Sequence, residues 1–278
     1  MQNNKSEKKL SKFLTRFLSG VVLLALLIFV LYVGDNLLLI SLALLSLIGL
    51  VELFRVFNLA KTRIGFIGYV FAIFYYIIIY YYRSSGILLF LITMLMLLLM
   101  FYVFSYPLFN IKEVSLIFFG LIYVAVTFSF IYLIREKNAL GKYLVWLIFI
   151  ASWGADTSAY CIGMLFGKHK LSPILSPKKT IEGAIGGIVG ASILGAFFTY
   201  FVLAKFFRAD LPISLIRISI ACGIGAVISM LGDLAASAIK RDYNTKDYGD
   251  IIPGHGGVLD RFDSVIFTAP VLFFVLNV

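Results

Sequence analysis

The interval from Ser237 to Asp263 carries the densest chemistry in the chain. Lys240, Arg241, Lys246 and Arg261 stand there among Asp242, Asp247, Asp250, Asp260 and Asp263, around a turn containing Gly254, Gly256 and Gly257. Carboxylates that hold a divalent cation, cations that hold phosphate and glycine amides open to close approach share one short loop. That is the inventory for chemistry on a polyphosphate. Asp260 and Asp263 are three apart and share a face if a helix starts there, while Asp233 closes the preceding apolar run. Oxygen ligands converging from two helices suit Mg²⁺. His255 is placed to donate to a phosphate and has no second imidazole nearby with which to ligate a metal. Asp242 and Asp250 are expected to face solvent.

Two further groups could take part. Asp156 lies in the small-residue stretch 151–158 inside an apolar run. An ionisable group at that depth costs ~2.5–3.5 kcal/mol to insert and is normally retained for a purpose. The plainer alternative is an acid that pins helices through Ser or Thr hydrogen bonds. In Ser176-Pro177-Lys178-Lys179-Thr180-Ile181-Glu182-Gly183 two cations fall at an expected helix start, an arrangement that suits an anion. Its alternative is a basic loop with a helix cap, and Glu182 is open between a cap partner and a polar-site residue.

Membrane helices must position these groups. A 278-residue chain that is 62% hydrophobic and 14% charged, with a mean hydropathy of +1.02, is not a water-soluble globule. Apolar runs at 14–33, 36–54, 64–82, 86–106, 114–134, 143–166, 184–206, 213–233 and 262–278 predict nine spans. They must be helical, because lipid offers the backbone no partners. The fold class is therefore an all-α integral membrane protein; the short alternating segments of a barrel are not seen. The basic lead and first apolar run resemble a secretion signal, but the run is long and no small-x-small site precedes Gly34-Asp35, so a retained helix is expected.

With the N-terminus in the cytoplasm, 17 of the 24 Lys and Arg residues fall on the cytoplasmic side, together with the Ser237–Asp263 segment. The net charge of +10 follows first from this bias and second from attraction to anionic headgroups. No nucleic-acid partner is expected, since no soluble domain exists to carry one. The acids of residues 1–140, among them Glu52, read as lying at span ends or in loops. That region is taken as a scaffold and 141–278 as the catalytic region with a cytoplasmic-side polar site. No internal repeat suggests the inverted halves of a transporter.

Ser237, Lys240-Arg241, Lys246-Asp247, Gly249, Pro253, His255-Gly256-Gly257, Asp260-Arg261 and Asp263 follow one another in the order and spacing that mark one enzyme family. The segment resembles the signature of the phosphatidate cytidylyltransferases (CDP-diacylglycerol synthases), without gap or substitution. Asp156 to Tyr160 and Ser176 to Gly183 are similar to two further segments of that family. The resemblance implies a membrane nucleotidyltransferase of phospholipid biosynthesis in the bacterial cytoplasmic membrane. It would join CTP and phosphatidic acid to give CDP-diacylglycerol and pyrophosphate.

The cofactor so implied is Mg²⁺, alone or with a second cation. The family's metal-binding aspartates correspond to Asp233 and Asp260, with Asp263 or Asp156 as further ligands. Lys240, Arg241 and Arg261 would offset charge during transfer. Lys178 and Lys179 would contact the triphosphate, and Ser237, Lys246, Asp247, His255, Gly256 and Gly257 would contact substrate. A homodimer is implied by resemblance alone. One position departs: Ala236 stands where many relatives carry an acid, so any support from that carboxylate must come from another ligand, water or Asp156. The alternatives are a CTP-dependent lipid kinase, a cytidylyltransferase for another lipid phosphate and, from a different class, an ion-coupled transporter using Asp156 and Asp233.

Overall fold

The computed structural model describes residues 2–206, 211–252, 254 and 256–276, with side chains from residue 18 onward. The helices are α1 (Gln2–Val33), α2 (Asp35–Val56), α3 (Arg63–Tyr82), α4 (Gly86–Phe104), α5 (Ile111–Glu136), α6 (Gly141–Phe166), α7 (Ile181–Leu203), α8 (Leu211–Asp242) and α9 (Leu259–Val275). Six described stretches are long and apolar enough to cross a membrane: Asp35–Val56, Arg63–Phe104, Ile111–Glu136, Gly141–Phe166, Ile181–Leu203 and Leu211–Asp242. By this measure the expected nine spans are not all reached. Spans 64–82 and 86–106 correspond to α3 and α4, which a 3-10 turn at Arg83–Ser85 separates within the stretch Arg63–Phe104. The apolar part of α1, Leu18–Val33, is shorter. The last helix has 17 residues, with Asp260, Arg261 and Asp263 in its opening turns.

A strand pair also departs from the expected all-helical chain. Lys170–Ser172 (β1) pairs antiparallel with Ser176–Thr180 (β2). Helix α7 begins only at Ile181, after both lysines rather than beside them. Pro177 has no N–H, and Thr180 is extended while its hydroxyl caps the helix by accepting from Gly183 N.

The chain runs up and down, so element ends collect at two ends of the bundle. At one end Arg135 donates to the carbonyls of Leu31 and Tyr32, Glu136 accepts from Asp35 N, and the rings of Tyr143 and Phe206 meet. At the other, the Phe57 ring packs at a tilt against Tyr243 and the α2 terminus meets the start of α9. The first five helices fill space with large side chains. Tyr75, Tyr76, Phe54 and Met94 are buried, and the two phenols find Ser129 and Ser46 at 2.7 Å.

Helices α6 to α8 pack differently. Gly183, Gly187, Ala191 and Gly195 recur every four residues on the buried face of α7. A Cβ on Gly183 would lie 2.8 Å from the Ala159 carbonyl, and one on Gly195 would lie 2.6 Å from Cys222 Sγ. In lipid, where apolar contact between helices gains little over contact with lipid, such small-residue faces let backbones approach. A π-helical stretch at Ile150–Gly154 sets the turn of α6 that follows, which carries Asp156.

Candidate active site

Helix α8 runs on to Asp242, past the expected end of its span at 233, so Ser237, Lys240 and Arg241 lie on a helix rather than in the expected loop, with Asp233, Ser237 and Lys240 along one face. Lys240 is buried. Its ammonium donates to Asp260 Oδ1 at 2.8 Å and lies 5.1 Å above the Tyr248 ring. Asp260 Oδ2 accepts from Tyr248 N at 2.9 Å and Gly257 N at 3.0 Å. About three of the four lone-pair sites on this carboxylate are thus in use. The Tyr248 hydroxyl donates to the Ala236 carbonyl at 3.2 Å, and burial pushes this phenol far above its usual range. The position that departs from the family pattern is fully buried beneath that tyrosine.

Asp233 is differently placed. Its carboxylate is ion-paired with Lys179, and more than a quarter of its side chain stays exposed. The Asp263 side chain leans on Asp233 and feels Lys240; Asp156 lies within electrostatic reach of both Lys179 and Asp233. Asp233 on α8 thus pairs with Lys179 and Asp260 on α9 with Lys240, with Asp156 of α6 near the first pair and Asp263 near both Asp233 and Lys240. Four carboxylates against two ammonium groups leave an excess of negative charge that a further cation would relieve.

Strand β2 explains how the two neighbouring lysines divide. Successive residues of a strand point to opposite faces: Lys179 turns into the acids, while Lys178 is exposed. Glu182 closes the neck of the hairpin, accepting from the N–H groups of Lys168 and His169 and lying 2.6 Å from His169 Nδ1. Its observed partners are thus loop groups rather than the acid cluster.

Of the remaining expected residues, Ser237 is half-buried on the α8 face. Arg241, Lys246, Asp247 and Arg261 are exposed, as are Asp242 and Asp250, which face solvent as expected. Arg241 donates to the Thr245 carbonyl at 3.3 Å. Gly256 adopts φ +83°, a conformation that favours glycine, next to Asp260. Pro253 and His255 lie outside the described residues.

Glu52 was not expected to matter. It is fully buried in α2, and its two carboxylate oxygens accept from Val258 N and Leu259 N, each at 2.9 Å. A Cβ on Gly249 or Gly257 would lie 2.6 Å from its carboxylate. The local signal was an acid inside an apolar run that continues to Val56; its partners lie more than 200 residues away.

Among the described residues no three His, Cys, Asp or Glu side chains form a group that could hold a metal ion. Asp233, Asp260 and Asp156 are therefore not gathered as a ready-made cage. The donor chemistry nevertheless fits Mg²⁺, which binds through one or two carboxylates and completes its shell with water and substrate phosphate.

A model of the cytidylyltransferase family matches residues 14–278. Phosphatidate cytidylyltransferase of Bacillus subtilis (strain 168) is 40% identical over 168 residues, 60% of this chain and 60% of that protein. The Staphylococcus saprophyticus protein of the same name is 37% identical over 174 residues, 63% of each chain. That of Staphylococcus aureus (strain COL) is 37% identical over 184 residues, 63% of this chain and 66% of that protein. The matches thus span a little under two thirds of the length of these relatives.

Proposed function

This chain belongs to the cytidylyltransferase family, and from that premise we propose that it transfers the cytidylyl group of CTP to phosphatidic acid, giving CDP-diacylglycerol and pyrophosphate. The relatives named phosphatidate cytidylyltransferase support the choice of substrates. The observation that carries the reading is the acid-rich cluster of Asp156, Asp233, Asp260 and Asp263 with Lys179 and Lys240, at the end of the bundle where the signature segment lies.

An oxygen of the phosphatidic acid phosphate attacks the α-phosphorus of CTP. The bond from that phosphorus to the oxygen bridging to the β-phosphorus breaks, and pyrophosphate leaves. The attacking phosphate is already ionised, so no general base is required, and the task of the protein is to bring two polyanions together. Asp233 and Asp260, with Asp263 or Asp156 behind them, would hold Mg²⁺, alone or with a second cation, which when bound supplies positive charge beside the triphosphate. Lys179 and Lys240 hold the acids close to one another before substrate arrives. Lys178, exposed on β2, takes the triphosphate. Arg241, Lys246 and Arg261 ring the site where a bidentate guanidinium or an ammonium meets phosphate. Ser237, Asp247, His255, Gly256 and Gly257 complete the substrate contacts.

The same reading puts the N-terminus and the site on the cytoplasmic face of a bacterial inner membrane, with nine crossings. Residues 1–140 serve as scaffold and 141–278 as the catalytic region, in a homodimer. Cysteine accessibility at the loops and mass measurement in detergent test these points. The reaction is tested by incubating purified protein with phosphatidic acid, Mg²⁺ and α-labelled CTP. Label in the lipid with equimolar pyrophosphate is expected. Release of CDP would identify a lipid kinase instead, and ion flux in liposomes without CTP a transporter.

A further inference from the structure

We propose that Glu52, in the first half of the chain, is a positioning residue that fixes the opening turn of α9 and through it the aspartates of the site. The effect on turnover rests on the function proposed above; the structural clamp does not.

The first N–H groups of a helix have no partner within it and carry the positive end of the helix dipole. Around α9, three successive amides are taken by two carboxylates. Gly257 N donates to Asp260, while Val258 N and Leu259 N donate to the two oxygens of Glu52. Glu52 is fully buried, and a buried carboxylate is tolerated only with good hydrogen bonds. Backbone N–H groups of the signature segment supply them. The segment is shaped to admit it: Gly249 and Gly257 flank the carboxylate so closely that a Cβ on either would collide with it. These signature glycines thus make room for a carboxylate of the protein itself, whatever further contact they make with substrate. Asp260 and Asp263 sit one and four residues beyond Leu259, so the direction in which they point follows from the turn that Glu52 holds.

The chemistry requires a carboxylate here. Glutamine can offer only one oxygen, and its NH₂ would face an N–H, leaving a buried donor unmet. The test uses the full chain in detergent, with hydrogen exchange followed on the peptide covering residues 256–262 and turnover measured with CTP and phosphatidic acid. In the unmodified protein the amides of Val258 and Leu259 should exchange at least ~10-fold more slowly than those of the exposed residues Lys246 and Asp247. Glu52→Gln should abolish that protection and lower kcat about ten- to a hundredfold, the worth of a hydrogen bond to a charged group. The KM for CTP should stay within about threefold, and Glu52→Asp should recover part of the rate. Free exchange at Val258 and Leu259 in the unmodified protein would overturn the clamp, as would normal turnover in Glu52→Gln. A rate loss matching only a loss of folded protein would also overturn it. An unmodified protein inert toward CTP and phosphatidic acid would sink the proposed function while the exchange result still decides the clamp.

Discussion

Glu52 in the first half of the bundle and Asp233 in the second are both acids on membrane helices near the same end of the molecule, and their surroundings differ. Glu52 is sealed from solvent, with backbone N–H groups as its hydrogen-bond partners. Asp233 is partly exposed, shares one lysine with its neighbourhood and has a second carboxylate leaning on it. The same difference runs through the packing. In α1 to α5 large side chains fill the interior, so a polar group there must be satisfied locally. In α6 to α8 glycine and alanine let backbones approach and bring acids from separate helices together. An acid with finished hydrogen bonds holds a shape. A cluster with more negative charge than its own lysines balance suits the cation and phosphate of the proposed reaction.

The sharpest way to break this contrast is Asp233→Asn. It should lower turnover by about a thousandfold, at the upper range for a major electrostatic stabiliser, while the protein stays folded; near-normal turnover would remove Asp233 from the site. Asp260→Asn tests the residue that belongs to both descriptions. Turnover should fall by at least ~10²-fold. Stability in thermal melts should fall too, because Lys240 loses its buried partner, a change worth ~3–5 kcal/mol. Gly257→Ala sharpens the structural side: the added methyl meets the Glu52 carboxylate and should cost ~1–3 kcal/mol of stability. The smallest effect is expected for exposed Lys178→Ala, a rise in the KM for CTP of about fivefold with kcat nearly unchanged. A change confined to the KM for phosphatidic acid would detach that strand from the triphosphate.

Much of the site is visible in the order of residues. Asp260 and Asp263 do open a helix, and Asp156 does come within reach of Asp233, whereas Ser237, Lys240 and Arg241, expected in a loop beyond the span ending at 233, lie on the helix that carries Asp233. The first is a short-range spacing on a helix whose existence follows from hydropathy; the approach of Asp156 to Asp233 joins two helices far apart in sequence. The hairpin before α7 was less visible, because Ser-Pro-Lys-Lys-Thr reads equally as a helix entry. The tertiary fold decides that Lys179 turns inward while Lys178 does not. The occupancy of Asp260 by Lys240 and two amides, and the reach of Glu52 across more than 200 residues, depend on packing that no local pattern encodes. The third and fourth spans are separated only by a tight turn at Arg83–Ser85, which leaves two apolar helices nearly continuous in sequence.

The most direct test of the contrast measures cation binding rather than turnover. Mn²⁺ can stand in for Mg²⁺, with free Mn²⁺ followed by electron paramagnetic resonance in the presence of CTP. Asp233→Asn should weaken Mn²⁺ binding by at least about tenfold, as loss of a charged oxygen ligand does. Glu52→Gln, which reaches Asp260 and Asp263 only through the turn it holds, should weaken binding several-fold less than Asp233→Asn does. Unchanged binding in Asp233→Asn, or equal loss in both variants, would contradict the division between an acid that holds the frame and acids that serve the chemistry.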